Sequence, residues 1–255
     1  MNTNSNTYTV IYTAIVVVIV AAVLAFVSQK LGPMQADNEK AETISQILTA
    51  AQFGEKESWA EKGNAATLDF YRENVEKAVT VNAKGEETGV LDVQKPAIYS
   101  VSQLKAQNYN IKGGKDFELP VYIFKNGTKV IPVYGAGLWG PVWGYIAFAT
   151  DNKTILGAYF DHEGETPGLG GKIKDDPSFR AQFIGKSINY ADNAPFHIIK
   201  GGAKGQENAV DAITGATMTS KGLDAAITEW LNAYQATLAN AVEESNVTME
   251  EPSNE

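Results

Sequence analysis

The chain has 255 residues, of which 44% are apolar, and a formal net charge of −9. This composition allows a buried core, and the acidic balance argues against nucleic acid as a partner. The absence of cysteine excludes a disulfide framework, a zinc ribbon and a cysteine-ligated iron–sulfur cluster, and two histidines without an HExxH motif do not favour a histidine-rich metal site. Any redox chemistry would therefore need an organic cofactor.

The first predicted element is a membrane span between Tyr8 and Val27, a segment without a charged residue. As an α-helix it would measure roughly 30 Å, the thickness of the hydrocarbon core of a bilayer. A secretory signal would have a basic n-region, which MNTNSNT lacks, and a buried core helix rarely runs so long without a charge. Lys30 and Lys40 follow the span, so the positive-inside rule alone would leave the main domain in the cytoplasm. We predict a transmembrane segment within residues 1–31.

Residues 32–110 are predicted to form a helical stalk with an added strand. Gly32-Pro33 predicts a helix break, and a new helix is expected from about residue 37 to 53. A second helix is expected to start with Asn64 as its N-cap, and the polar stretches GEKESWAEKG and NAKGEETG predict loops. The apolar faces are Ile44, Ile47, Leu48 and Ala51 in the first helix, and Leu68, Tyr71, Val75 and Ala78 in the second.

From Phe117 onward the sequence predicts an antiparallel sheet followed by a long helix, so the fold class is α+β. The runs FELPVYIFK, TKVIPV, VWGYIAFAT and TILGAYF are β-branched and aromatic and are separated by turn residues. Asp176-Pro177 predicts a short helix, and PFHIIKG predicts another strand. We expect a main domain over residues 111–245 and a disordered acidic tail over 246–255. The predicted inward side chains are Phe179, Phe183 and Ile184 in the short helix, and Leu223, Ile227, Trp230, Leu231, Tyr234 and Leu238 in the last helix, about 221–242.

Three glycine-rich segments are candidate binding elements. Gly135, Gly137 and Gly140 match G-x-G-x-x-G, but a strand and not a helix is predicted to follow, so a β-turn-β is favoured over a dinucleotide site. Trp139 and Trp143 are then either core residues or a flat surface for an aromatic ligand. The loop DHEGETPGLGGK lacks the spacing of an EF-hand. Its residues 168–171 either present backbone N–H groups to a ligand or form a plain tight turn.

The third segment, DAITGATMTS at residues 211–220, places hydroxyl side chains directly before the last predicted helix. The unpaired N–H groups and the dipole of a helix N-terminus favour a phosphate there. A simple helix cap by Thr217, Thr219 or Ser220 is the alternative, because serine and threonine are common at that position.

Four segments together resemble one protein family. FELPVYIFKNG, YGAGLWGPVWGYIAF, HEGETPGLGGKI and DAITGATMTS are similar, in this order, to the C subunit of the Na⁺-translocating NADH:quinone reductase, a respiratory sodium pump of bacteria. The resemblance extends to the single N-terminal span and the stalk, and so covers nearly the whole chain. It implies that the chain is an electron-carrying subunit of a translocase. This subunit reacts with neither NADH nor quinone, and other subunits of the pump do so.

The resemblance also implies the cofactor and its site. In the family motif D-x-x-[ST]-G-A-T, FMN is joined through its phosphate to the last threonine, which corresponds here to Thr217 within the motif formed by Asp211, Thr214, Gly215 and Ala216. A separate flavin transferase, which uses FAD and a divalent metal, makes the bond. The Thr219 and Ser220 hydroxyls are expected to face the phosphate, and Glu165 either biases the redox states of the ring or only caps its loop. The ring is expected to lie among Gly137, Leu138, Trp139, Glu165, Thr166, Leu169 and Gly170.

The implied partners are the other subunits of the pump, the flavin transferase and the lipid bilayer. The family places its domain on the outer, periplasmic side of the inner membrane, and we follow the family over the charge rule. Two alternatives remain. One is the G subunit of an Rnf-type ferredoxin:NAD⁺ oxidoreductase, although the extra stretch of residues 59–105 favours the sodium pump. The other is a membrane-anchored binding or scaffold domain without a redox cofactor, in which Thr217 would only cap a helix.

Overall fold

The computed structural model describes residues 6–191 and 194–239. The chain divides into two compact units, residues 1–40 and 41–255. Its first helix, α1 (Asn6–Ala50), is long and apolar enough, by length and composition, to cross a membrane, and its most apolar window is not buried. The predicted apolar helix of membrane-spanning length is therefore confirmed.

The predicted break at Gly32-Pro33 is wrong, because α1 continues through both residues. The ring of a proline fixes φ near −65°, which is a helical value, so Pro33 can lie within α1 although it removes one donor and its ring crowds the carbonyl of Gln29, four residues earlier. The last ten residues of α1 lie in the second unit and are buried almost throughout. Ile44, Ile47 and Leu48 pack into the core as predicted.

Residues 51–112 contain more strand than the sequence predicts. The helical stripe predicted to include Val75 and Ala78 ends before them, because both lie in the first strand. GEKESWAEKG is largely helical, and ETG in NAKGEETG begins a strand. The N-cap of the third helix is Gly63, not Asn64. The elements are α2 (Lys56–Lys62), α3 (Asn64–Asn74), β1 (Val75–Val81), β2 (Glu87–Leu91) and α4 (Val101–Lys112).

The sheet has six strands in the order β2-β1-β3-β4-β5-β6, and all of its neighbours pair antiparallel. The predicted meander is therefore confirmed, with two added strands at one edge. Ala136 pairs with Pro141, so residues 137–140 form the turn of a hairpin, as predicted in place of a dinucleotide site. The remaining strands are β3 (Leu119–Phe124), β4 (Lys129–Ala136), β5 (Pro141–Phe148) and β6 (Ile155–His162).

Two short helices and a small parallel ribbon lead from the sheet to the last helix. Asp176 caps the second short helix by accepting from the Ser178 N–H at 2.9 Å, as Asp-Pro predicts. Phe179 and Phe183 are buried, but the inward position predicted for Ile184 is wrong, since this side chain is 52% exposed. The elements are α5 (Lys172–Asp175), α6 (Pro177–Ala181), β7 (His197–Ile199), β8 (Ala209–Asp211) and α7 (Thr217–Ala233), and β7 pairs with β8.

Helix α7 packs closely on the sheet. Close approach is possible because Gly222 and Gly135 lack side chains: a Cβ on Gly222 would lie 2.0 Å from the Ala136 carbonyl oxygen, and one on Gly135 would lie 2.6 Å from Ala226 Cβ. Helix α7 starts at Thr217, about four residues before the predicted start, and it ends at Ala233, well before the predicted end near residue 242. The acidic tail lies outside the described residues. The predicted apolar stripe is buried in full: Leu223, Ile227, Trp230, Leu231, Tyr234 and Leu238.

Candidate functional site

Three segments that are distant in sequence meet at the start of α7. The backbone N–H of Trp139, in the β4–β5 turn, donates to Glu165 Oε1 at 2.9 Å. The Thr219 hydroxyl, in the first turn of α7, donates to Glu165 Oε2 at 2.5 Å. Leu169 also contacts the α7 entry, since a Cβ on Gly215 would lie 3.1 Å from its Cδ2. The structure thus brings the three glycine-rich segments together.

Thr217 is the first residue of α7 and its side chain is exposed. The N-cap position belongs to Ala216 (φ −122°, ψ 46°), and no side chain caps the helix there. Thr217 is therefore not the simple helix cap of the alternative interpretation. Its hydroxyl is accessible at a helix N-terminus, where N–H groups and the dipole favour an anion.

The four hydroxyls of this segment divide into two pairs. Thr219 and Ser220 are 1% and 2% exposed. Thr219 bonds Glu165, and Ser220 Oγ accepts from the Ile213 N–H at 3.2 Å. Both hydroxyls thus help to fold the entry to α7, and Ser220 also lines the cavity that opens beside Thr217. That they face a phosphate stays a prediction. Thr214 and Thr217 are exposed.

A cavity of about 670 Å³ opens beside Thr217. Two exposed cations, Lys200 and Lys221, line it and give it positive charge. Sequence reasoning missed both lysines, although Lys200 precedes Gly201 and Gly202, whose positive φ values of 71° and 84° mark a specialised loop. The complete lining is Ile198, Lys200, Gly201, Asp211, Ala212, Ile213, Thr214, Gly215, Thr217, Ser220 and Lys221.

Asp211 organises one wall of this cavity. Its Oδ1 accepts from the Ala203 N–H at 3.0 Å, and its own N–H donates to Gln182 Oε1 at 2.9 Å. These bonds fix the loop that carries Lys200 against the end of β8. Gly215 has φ 83°, which explains why the motif needs glycine there.

Asp224 anchors the other side of the same loop to α7. Its Oδ1 accepts from the Ile198 N–H at 2.6 Å. Burial raises the pKa of this carboxyl above its ordinary value, and the bond from Ile198 and the charge of His197 partly oppose that shift.

The loop around Gly170 uses much of its own hydrogen-bonding capacity. The N–H groups of Leu169 and Gly171 both donate to the Thr166 carbonyl, at 3.1 and 3.0 Å. Of the four N–H groups in residues 168–171, at most those of Gly168 and Gly170 are left for a ligand. The tight turn predicted by the sequence is therefore present, and donation to a ligand by the other two N–H groups stays a prediction.

Exposed apolar side chains surround the entry to α7. Trp139 is 69% exposed, and Leu138, Leu169 and Met218 are also exposed. Trp143, by contrast, is half-buried and packs against both core clusters. Of the two tryptophans, Trp139 therefore offers the flat surface and Trp143 belongs to the core. Within the described residues, no group of three His, Asp or Glu side chains could hold a metal ion.

Known proteins provide an independent comparison. A family model for an FMN-binding domain matches residues 137–232. The C subunit of the Na⁺-translocating NADH-quinone reductase of Vibrio vulnificus is 42% identical over 117 residues, covering 44% of this chain and 46% of the relative. That of Vibrio alginolyticus is 35% identical over 176 residues, covering 67% of this chain and 60% of the relative. The alignment with the Vibrio vulnificus protein thus spans about half the length of that relative.

A solved structure extends the similarity over most of the chain. The crystal structure of the C subunit of the Na⁺-translocating NADH-quinone reductase of Parabacteroides distasonis is 31% identical and has a TM-score of 0.68. The match covers 82% of this chain and 96% of that one.

Proposed function

This chain belongs to the family of C subunits of the Na⁺-translocating NADH-quinone reductase, and on that basis we propose that it relays electrons within such a pump through FMN covalently attached to Thr217. The observation that carries the proposal is the exposed Thr217 hydroxyl at the start of α7, beside a cavity that contains two lysines.

The residues present fit FMN at both of its ends. A phosphate on Thr217 would be stabilised by the helix dipole and by the positive charges of Lys200 and Lys221. The cavity volume of about 670 Å³ falls within the range of roughly 300 to 1,000 Å³ that is usual for small-molecule sites. The exposed indole of Trp139 and the side chain of Leu169 would cover the apolar ring system.

The attachment would be a phosphoryl-group transfer catalysed by a separate flavin transferase. Thr217 Oγ1 would attack the FMN phosphorus of FAD, forming one P–O bond while the bond between the two phosphates breaks and AMP leaves. The hydroxyl proton passes to the transferase or to solvent. Thr217 therefore needs no base of its own, and an exposed position at the edge of the domain gives the transferase access to it.

When bound, FMN would supply the capacity to take up and release one or two electrons. The chain itself would fix the phosphate, orient the ring and anchor the domain to the bilayer through α1. Its partners would be the other subunits of the pump, including those that react with NADH and quinone. We place the domain on the periplasmic side of the inner membrane, following the family resemblance.

The decisive experiment measures intact mass and in-gel flavin fluorescence after denaturing electrophoresis. The samples are the chain purified from native membranes, its Thr217→Ala variant and the control Ser102→Ala, which removes an exposed hydroxyl on α4, outside the motif and the cavity lining. We expect a fluorescent band with the added mass of one phosphoester-linked FMN in the wild type and in Ser102→Ala, and none in Thr217→Ala. A dark wild-type band of unmodified mass would overturn the proposal in favour of the scaffold alternative.

A further inference from the structure

Glu165 lies at the junction of the three site segments and contacts two of them through the two oxygens of one carboxylate. We propose that Glu165 is a positioning residue, whose buried carboxylate holds the β4–β5 turn and the first turn of α7 at a fixed separation. It would thereby set the distance between the Trp139 indole and the Thr217 hydroxyl. This inference rests on the proposed attachment of flavin at Thr217.

The carboxylate is held at both oxygens. Glu165 is 4% exposed, and its oxygens accept from the Trp139 N–H and from the Thr219 hydroxyl. Buried ionised carboxylates require such partners, and bonds to a charged acceptor are stronger than neutral ones. Because Trp139 and Thr219 are far apart in sequence, a change at Glu165 would release both segments at once.

The neighbouring glycines make room for this carboxylate. A Cβ on Gly137 would lie 2.4 Å from Glu165 Oε1, and one on Gly170 would lie 2.3 Å from Oε2. Neither residue has a positive φ value, so conformational freedom is not the reason for glycine at these positions. Two glycines that the sequence assigned to the ring are thus required to admit the Glu165 side chain.

The backbone of Glu165 is fixed as well. Its N–H donates to His162 Nδ1 at 3.2 Å, and the His162 N–H donates to Asp161 Oδ1 at 2.8 Å. Asp161 is itself buried and bonded by Gln46 Nε2 at 2.9 Å and by Lys174 Nζ at 2.9 Å. The backbone of Glu165 is therefore fixed by a polar network, and its carboxylate is fixed by the two segments that it joins.

The position of Thr219 links the contact to the attachment point. Thr219 is the third residue of α7 and Thr217 is the first, so they share one helical turn. A bond that locates Thr219 also locates Thr217. On the other side, the Trp139 backbone N–H is held directly, which fixes the backbone position from which the exposed indole extends. Loss of the carboxylate would leave the fold in place, but the distance between the Trp139 indole and the Thr217 hydroxyl would no longer be fixed.

The test compares Glu165→Gln and Thr219→Val with the matched controls Glu163→Gln and Thr219→Ser. Glu163 is an exposed carboxylate of the same loop. Thr219→Ser keeps the hydroxyl that Thr219→Val removes. For each full-length chain, one measures the thermal midpoint, the rate at which a flavin transferase with FAD and Mg²⁺ loads the chain, and the visible spectrum of the loaded flavin.

We expect Glu165→Gln and Thr219→Val to load roughly 10-fold to 100-fold more slowly, because misplacement by about 1 Å costs of that order. Their flavin spectra should also shift in the same sense. Glu163→Gln and Thr219→Ser should match the wild type, and the double variant Glu165→Gln/Thr219→Val should be no slower than either single variant. If Glu165→Gln does not fold, the Thr219→Val and Thr219→Ser pair decides alone.

Wild-type loading rate and spectrum in Thr219→Val, together with the same result in any folded Glu165→Gln, would overturn the inference. Failure of the proposed function is distinguishable, because the wild-type chain itself would then acquire no covalent flavin.

Discussion

Residues 214–220, which lead into α7 and form its first turn, carry both exposed and buried hydroxyl side chains. Thr214 and Thr217 are exposed and line a cavity with two lysines, and the buried Ser220 reaches the wall of the same cavity. Thr219 and Ser220, by contrast, are buried and bonded to Glu165 and Ile213. Side chains of the same chemical type are thus divided between exposed hydroxyls and hydroxyls that are bonded within the fold. The difference teaches that a hydroxyl-rich motif at a helix start is not one ligand shell, and that each hydroxyl must be assigned from its burial.

The largest effect is expected on the buried side, from Gly222→Ala. The added Cβ would lie 2.0 Å from the Ala136 carbonyl oxygen, so α7 would have to move off β4. We expect a loss of about 3 kcal/mol in the free energy of unfolding, at the upper end for overpacking. Thermal or denaturant unfolding measures it, with Gly140→Ala as control, since that Cβ meets no atom closer than 3.5 Å. Equal stability of the two variants would contradict the close packing.

Ser220→Ala tests the buried side without adding volume. The Ile213 N–H would lose its acceptor in a buried position, which costs roughly 1 to 3 kcal/mol. The exposed Thr214→Ala should change the free energy of unfolding by less than about 0.5 kcal/mol, as is usual for surface positions. If the two alanine variants had the same stability, the division of the hydroxyls into two roles would fail.

Lys200→Ala and Lys221→Ala, on the cavity side, should affect flavin loading and not stability. Both lysines are exposed, so stability should hardly change, while flavin loading should slow by roughly 5-fold as about 1 kcal/mol of attraction for phosphate is lost. Raising the salt concentration should shrink the difference from wild type, since exposed charges are screened. Lys204→Ala, in the same loop but outside the cavity lining, is the control. A salt-independent defect would argue against an electrostatic role.

The smallest effect is expected from Asp224→Asn and depends on pH. Burial raises the pKa of Asp224 in the folded state above its ordinary value of 3.8, so deprotonation destabilises that state. Stability from this group is therefore present at low pH and is lost as the pH rises from 3.8 through the raised pKa. Because the side chain is half-buried, solvent screening keeps the increase in the free energy of unfolding of Asp224→Asn at neutral pH below about 1 kcal/mol.

Unfolding measured between about pH 3 and pH 8 tests this shift. The difference in free energy of unfolding between Asp224→Asn and the wild type should grow with pH in favour of the variant. The asparagine oxygen can still accept from the Ile198 N–H, so the hydrogen bond is kept. An advantage that is constant across this range would contradict the raised pKa.

Local patterns predict those elements whose signal is contained in one stretch of chain. The β4–β5 hairpin follows from alternation and turn residues, and the α7 stripe follows from helical spacing. The helix predicted at Val75 and Ala78 is wrong because a short apolar run fits either period, and only pairing with β3 selects the strand. The inward position predicted for Ile184 rests on the same kind of pattern, but α6 ends at Ala181 before the stripe can continue.

The sequence by itself determined the apolar helix, the α+β class and the presence of the D-x-x-[ST]-G-A-T motif that ends at Thr217, because periodicity, turn chemistry and short motifs are local. Only the tertiary structure decided what surrounds that threonine. Glu165 lies 54 residues from Thr219 along the chain, and the two meet only because the β4–β5 turn, the loop after β6 and the start of α7 converge at the same end of strands β4, β5 and β6. Contacts of that separation depend on the whole topology, so no local pattern contains them.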